Sequence, residues 1–426
     1  MTDSLNIINL PIEVLDLIYS FLNNVTDELN LSKAHDVLTN AFVYHNRKRF
    51  TTFNLNHFTL GQIEYILEFF GSNIRSIQCS MTMDTDAISR AISTLCPNLE
   101  FLELRLRNAL SLERAVQALS CLQNIKGIEV SGLENIFFGI SITNSSSQMR
   151  NLQKVSLKIR IPQDTLVHFF GNNQLQELRI LYYEYNWVYH VDYIKLLSQL
   201  RRLHYNCKGN MFTAQAFLYS ISLYTAQWEE LVLLNVSDRR NLVLPYMPKL
   251  RHLSLSYDPY CLIGPNFFNR SVTRCAPYLE ELSLEIWQPA HYDLLASMRM
   301  LKQLKCIVRN DSNCPEVIKN FAHLERLCFR GSLKPGFGLM PVITNCKKLR
   351  YLDIQGCEGV YNDFVFEMLP VLNANGVTSS DPLILLADYT GIDRNINKLL
   401  SCKLYGNAVK VQFGLQPFFK SHIFAN

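Results

Sequence analysis

One short phrase recurs along this chain: an apolar residue, two others, a second apolar, one other, a third apolar. It reads Leu99-Glu-Phe-Leu102-Glu-Leu104, Leu152-Gln-Lys-Val155-Ser-Leu157 and Leu175-Gln-Glu-Leu178-Arg-Ile180. It returns at Leu250–Leu255, Leu279–Leu284, Leu324–Phe329 and Leu349–Ile354, with looser copies starting at Ile74, Ile125, Leu200, Trp228 and Leu304. The twelve first anchors span 275 residues in eleven steps of 20 to 29, averaging 25. Alternation within each phrase predicts a short strand with one buried face. The roughly 18 residues between phrases suit a helix and two turns, as in Asp84–Cys96, Leu112–Leu122, Tyr193–Leu200 and Pro315–Leu324.

One such unit cannot stand alone. Ordering its residues costs ~1.5 kcal/mol each, more than a single apolar strip returns, so neighbouring units must share a core. The predicted architecture is an α/β solenoid, with parallel strands on a concave face and helices on the convex one. The period is that of leucine-rich repeats. The unit Cys346-Lys-Lys-Leu349-Arg-Tyr-Leu352-Asp-Ile354-Gln-Gly-Cys357 resembles the cysteine-containing class of that repeat. The array is placed at residues 51–372, as about twelve repeats. A turn-rich stretch, Asn373–Pro382, and two strands, Leu383–Leu386 and Val409–Phe413, mark 373–426 as a capping segment.

Residues 1–50 follow another rule. Leu10, Val14, Leu15, Ile18, Phe21 and Leu22 recur at helical spacing, with Pro11 at the start and Glu13 in the first turn. A second short helix is expected with Thr26 as its cap, and a third over Val37–Tyr44, followed by a solvated basic end, Arg47-Lys-Arg49. This segment resembles an F-box through Leu10, Pro11, Glu13, Val14, Leu15, Ile18, Phe21 and Leu22, with Leu29 and Leu31 in the second helix. An F-box ahead of such repeats is the layout of the F-box/leucine-rich-repeat family.

That resemblance implies a substrate-recognition subunit of a Skp–cullin–F-box ubiquitin ligase, with Leu10, Pro11, Ile18, Leu22, Leu29 and Leu31 contacting a Skp-type adaptor. Some forty residues are too few to bury a stable core unaided, so the segment must pack on the first repeats, on a partner, or on both. The alternative is a cap on the first repeat of a ligase-independent scaffold.

A target protein is expected on the strand face, where Arg179, Arg202 and His204 are candidates. Six aromatics within 182–193, among them Tyr183, Tyr185 and Trp187, are either contact anchors or local packing.

Composition removes other classes. Hydrophobic residues make up 48% and charged residues 18%, which excludes a disordered chain. Forty-one basic residues against 37 acidic ones give a net charge of +4, so nucleic-acid binding is not expected. No apolar run approaches the ~20 residues of a membrane span. Twelve scattered cysteines and a start without a secretory signal lead us to expect reduced thiols and a cytoplasmic or nuclear location. Phosphate loops, zinc spacings and nucleophile elbows are missing from the sequence, so neither metal nor cofactor is expected, and a non-catalytic role is.

Overall fold

The computed structural model describes residues 6–81, 85–106, 122–132, 151–158, 174–181, 194, 197–207, 214–236, 244–257, 278–284, 295, 298–308, 318–331 and 339–414. They divide into two compact units, the first comprising Met1–Tyr182 and Asp192–Gln199, the second Tyr183–Val191 and Leu200–Asn426.

Unit 1 opens with three helices, α1 (Ile12–Ser20), α2 (Val25–Ser32) and α3 (Asp36–Asn46). Strands follow at β1 (Thr52–Asn54), β2 (Ser76–Met81), β3 (Phe101–Leu106), β4 (Gly127–Gly132), β5 (Lys154–Lys158) and β6 (Glu177–Ile180), with helices α4 (Leu60–Phe70) and α5 (Thr85–Leu95) alternating with the first three. Each strand pairs in parallel with the next. The second anchors fall in register, Ile77 beside Leu102, then Ile128, Val155 and Leu178. All five are buried and form one apolar column.

Unit 2 carries β7 (Arg202–Asn206), β8 (Glu230–Val236), β9 (His252–Tyr257), β10 (Glu281–Leu284), β11 (Gln303–Val308), β12 (Arg326–Gly331), β13 (Tyr351–Asp353), β14 (Leu383–Leu386) and β15 (Val409–Gln412). These also pair in parallel and in sequence order. The described helices are α6 (Ala214–Ile221), α7 (Met340–Asn345), α8 (Asn362–Ala374) and α9 (Ile396–Ser401). The apolar column runs Leu203, Leu231, Leu253, Leu282, Leu304, Leu327, Leu352, Leu385 and Val411, all buried. Parallel strands, one per repeat, with helices in several of the described connections, make each unit a leucine-rich-repeat solenoid.

Two devices lock repeat to repeat. At most steps the carbonyl just before a strand accepts two N–H groups of the next repeat: Arg75 O receives Glu100 N at 2.8 Å and Phe101 N at 2.9 Å, and Arg251 O receives Glu280 N and Glu281 N at 2.8 and 2.9 Å. From Arg75 to Lys126 in unit 1 and from Arg201 to Arg350 in unit 2, the side chains at that position alternate in charge. Glu100 meets Lys126 at 2.8 Å and Arg75 at 3.7 Å in unit 1. In unit 2, Arg201–Glu229 is 3.4 Å, Arg251–Glu280 2.9 Å and Lys302–Glu280 2.7 Å.

Several expectations need correction. The phrase placed at Leu304 begins at Leu301, because Leu304 is the second anchor, in register with Leu282 and Leu327. Asn24, not Thr26, caps α2: its side chain accepts Thr26 N–H at 2.9 Å. The stretch from Asn373 begins inside α8, which runs to Ala374 before the turn. Of the predicted helix over 112–122 all but residue 122 lies outside the described residues, while residues 197–200 of 193–200 and 319–324 of 315–324 are turns rather than helix.

Candidate protein-binding surface

The N-terminal helices build their own small core. Leu15 and Tyr19 of α1 are buried with Leu29, Leu38 and Phe42. Tyr19 donates its hydroxyl to the Leu38 carbonyl at 2.9 Å, and burial holds that phenol well above its ordinary pKa. Buried Glu28 of α2 accepts from Asn46 Nδ2 at 2.8 Å and from Arg49 NH1 at 2.8 Å. The basic end is therefore not wholly solvated: Arg49 pairs with the buried Glu28 carboxylate. The helices also seal the first repeat. Phe42 packs edge-on against Phe70 of α4, with ring centres 5.6 Å apart, and Thr39 Oγ1 lies 3.2 Å from Tyr65 Oη.

α1 and its C-terminal cap carry a second apolar stripe that no described residue of unit 1 covers. Val14, Leu17, Ile18 and Phe21 follow i, i+3, i+4, i+7 spacing, one face of a helix. Val14 is 40% exposed, Leu17 57% and Phe21 74%. Ile18, Leu22 and Leu10 are half-buried beside them, and Pro11 is exposed.

Against the predicted adaptor contacts, Leu10, Pro11, Ile18, Leu22 and half-buried Leu31 keep surface to offer. Leu29 does not: it is fully buried in the helical core and must be removed from the contact set. In the sequence Leu17 has no assigned role, and Val14 and Phe21 stand as helix-spacing and F-box-resembling positions but not as adaptor contacts. Their i, i+3, i+4, i+7 spacing from Val14 was the available signal.

The predicted strand-face candidates fare differently. Tyr183, Tyr185 and Trp187 lie outside the described residues. Arg179 is taken up by its own strand: its Nε bonds Glu177 Oε1 at 2.6 Å, and Lys154 joins the same carboxylate at 3.2 Å. Burial by itself would raise the Glu177 pKa; Arg179 and Lys154 outweigh it and hold the carboxyl below its usual range. His204 is only 2% exposed, with Nε2 2.6 Å from Glu230 Oε1. Arg202 is exposed, 3.9 Å from the same carboxylate. Of these three, Arg202 alone is exposed.

Among the described residues no group of three or more histidine, cysteine or acidic side chains could hold a metal ion. No described helix is long and apolar enough to cross a membrane.

By its repeats, ladders and core each unit has the leucine-rich-repeat fold. Solved structures similar to it include a leucine-rich-repeat protein of Leptospira interrogans, 12% identical with a TM-score of 0.37, over 82% of this chain and 97% of that one. The Toll–Spätzle complex of Drosophila is 13% identical with a TM-score of 0.32, over 83% of this chain and 59% of that one. The mouse RP105/MD-1 complex is 10% identical with a TM-score of 0.30, over 69% and 57%. No protein-family profile matches the chain, and no curated protein does.

Proposed function

We propose that this chain is the substrate receptor of a Skp–cullin–F-box ubiquitin ligase, working in the cytoplasm or nucleus. The reading rests on the uncovered stripe of α1, Val14–Leu17–Ile18–Phe21, on a helical segment whose opposite face is already packed. Contiguous exposed apolar surface on a folded domain marks an interaction site, and three of its four residues, Val14, Ile18 and Phe21, belong to the F-box resemblance of the sequence. The Skp-type adaptor covers that stripe, and the solenoid holds a target protein. The receptor performs no chemistry itself. It raises the local concentration of target lysines at the ligase's catalytic subunits.

A second reading has its own observation. Phe42 against Phe70 and Thr39 against Tyr65 show the helices capping the first repeat, as a ligase-independent scaffold also requires. A pull-down of purified adaptor by the full chain separates the two. Capture that disappears in a folded Leu10→Ala/Pro11→Ala/Ile18→Ala variant supports the receptor. A well-folded native chain that captures no adaptor leaves the scaffold.

A further inference from the structure

The in-register strands of unit 2 align side chains into rows on the sheet face. One row crosses β12 to β15 as Arg326, Tyr351, Ile384 and Lys410. Its two ends are exposed cations and its middle two residues are half-buried. Elsewhere on the sheet faces Arg105, Lys154, Lys158, Arg179, Arg202 and Arg330 each meet a carboxylate within ion-pair distance. Arg326 and Lys410 meet none among the described residues. The guanidinium of Arg326 instead lies 5.9 Å from the centre of the Tyr351 ring.

The next row beneath is closed to a visitor. Cys328, Asp353 and Leu386 are buried. Asp353 is already partnered: it accepts Gln355 N–H at 3.0 Å and the Cys328 thiol at 3.5 Å, with Arg330 3.8 Å away. The row is therefore an apolar floor between two uncompensated positive charges.

We infer that Arg326, Tyr351, Ile384 and Lys410 form a docking row for an extended protein segment of pattern acid-x-apolar-x-acid. The spacing follows from backbone geometry. Three inter-strand steps of ~4.8 Å separate Arg326 from Lys410 by ~14 Å. An extended chain rises ~3.4 Å per residue and turns alternate side chains to one face, so residues i and i+4 lie ~14 Å apart with i+2 facing the same way. An acid at each end meets a cation, and the apolar residue between them rests on Tyr351 and Ile384. This deepens the receptor reading by naming the class of target segment, but the row and the adaptor surface can each fail alone.

The test uses the full chain without adaptor. A fluorescein-labelled peptide containing Glu-Ser-Leu-Ser-Glu is titrated by anisotropy, against Lys-Ser-Leu-Ser-Lys and against Glu-Leu-Ser-Ser-Glu, whose leucine faces away. The acidic in-phase peptide should bind at least ten-fold tighter than either control and weaken with added salt. Arg326→Glu and Lys410→Glu should each weaken it at least ten-fold, with melting unchanged because both side chains are exposed. The double variant should instead select the lysine peptide. Equal binding of all three peptides, no binding by the native chain up to about 1 mM, or a double variant that keeps its preference for acid overturns the inference. Adaptor capture, measured on the same variants, should not change. Peptide binding without adaptor capture would leave the row standing and remove the receptor reading.

Discussion

Shortening Leu17 and Phe21 together to alanine separates the partner-facing stripe of α1 from its structural one. Full burial of a leucine or phenylalanine contributes ~1.5–3 kcal/mol. Leu17 is 57% and Phe21 74% exposed, so covering what they still show contributes about 1–2 kcal/mol each. Losing both should weaken adaptor binding by about 2–4 kcal/mol, roughly 30- to 700-fold in Kd. The portion already buried is the smaller one, so folding should lose only about 1–2 kcal/mol, a shift of a few degrees in Tm. Leu29→Ala should invert the pattern. Fully buried in the helical core, it should cost about 2–5 kcal/mol of stability and leave adaptor affinity unchanged wherever the helices remain folded. Titration calorimetry for binding and urea unfolding for stability supply both readings. An affinity within two-fold of native for the Leu17→Ala/Phe21→Ala chain, with its helices intact, refutes the assignment of this stripe to the adaptor.

The fold supports further tests. Leu282→Ala empties a fully buried place between Leu253 and Leu304, and should lower unfolding free energy by about 2–5 kcal/mol in urea. In Gly406→Ala the new methyl would land on the Leu400 carbonyl, which is backbone and cannot swing aside; a loss of ~1–3 kcal/mol is expected in the same assay. His252 has a raised pKa, through its hydrogen bond with Glu281 first and then the charges of Glu281, Glu230 and Glu280, against the lowering effect of burial. Its stabilisation is complete below the unfolded value of about 6.5 and fades as pH rises through the higher folded value. Glu281→Gln should flatten that part of the urea-midpoint profile, and an undiminished slope would contradict it. Burial lifts the thiols of Cys79, Cys96 and Cys346 to about 12, so mass-spectrometric mapping of alkylated native protein should find exposed Cys402 modified well before them.

The repeats were legible because burial imposes a period that side-chain chemistry must obey. Leu253 and Leu282 could be assigned to one apolar column from spacing alone. The slip at Leu304 has the same origin: Leu301-x-x-Leu304 and Leu304-x-Cys306 both satisfy part of the phrase, and only strand register tells them apart. Contacts between repeats were harder to see. Asn98, Asn124 and Asn151 donate across to carbonyls of Ser72, Pro97 and Gln123 at 2.9, 3.0 and 2.8 Å. Their recurrence one residue before the first anchor was visible, but asparagine there also reads as an ordinary turn former. The helical segment shows a different limit. Leu29 and Leu17 are both leucines on short amphipathic helices, and sequence alone does not say which one the third helix will cover. Nor does spacing reveal that Arg326 and Lys410 share a row, since 84 residues separate them and register alone aligns them.

The alternating charges at the strand entrances have a consequence for how such a chain can change length. Along unit 2 the order Arg201, Glu229, Arg251, Glu280, Lys302 behaves as a parity check. Excising the single repeat that carries Arg251 would set Glu229 against Glu280, whereas excising two consecutive repeats restores opposite signs. Each exposed pair is worth only ~0.2–1 kcal/mol, so an odd deletion is penalised without being forbidden. Duplication obeys the same arithmetic. The array should therefore grow or shrink most easily two repeats at a time, its edge charges keeping count.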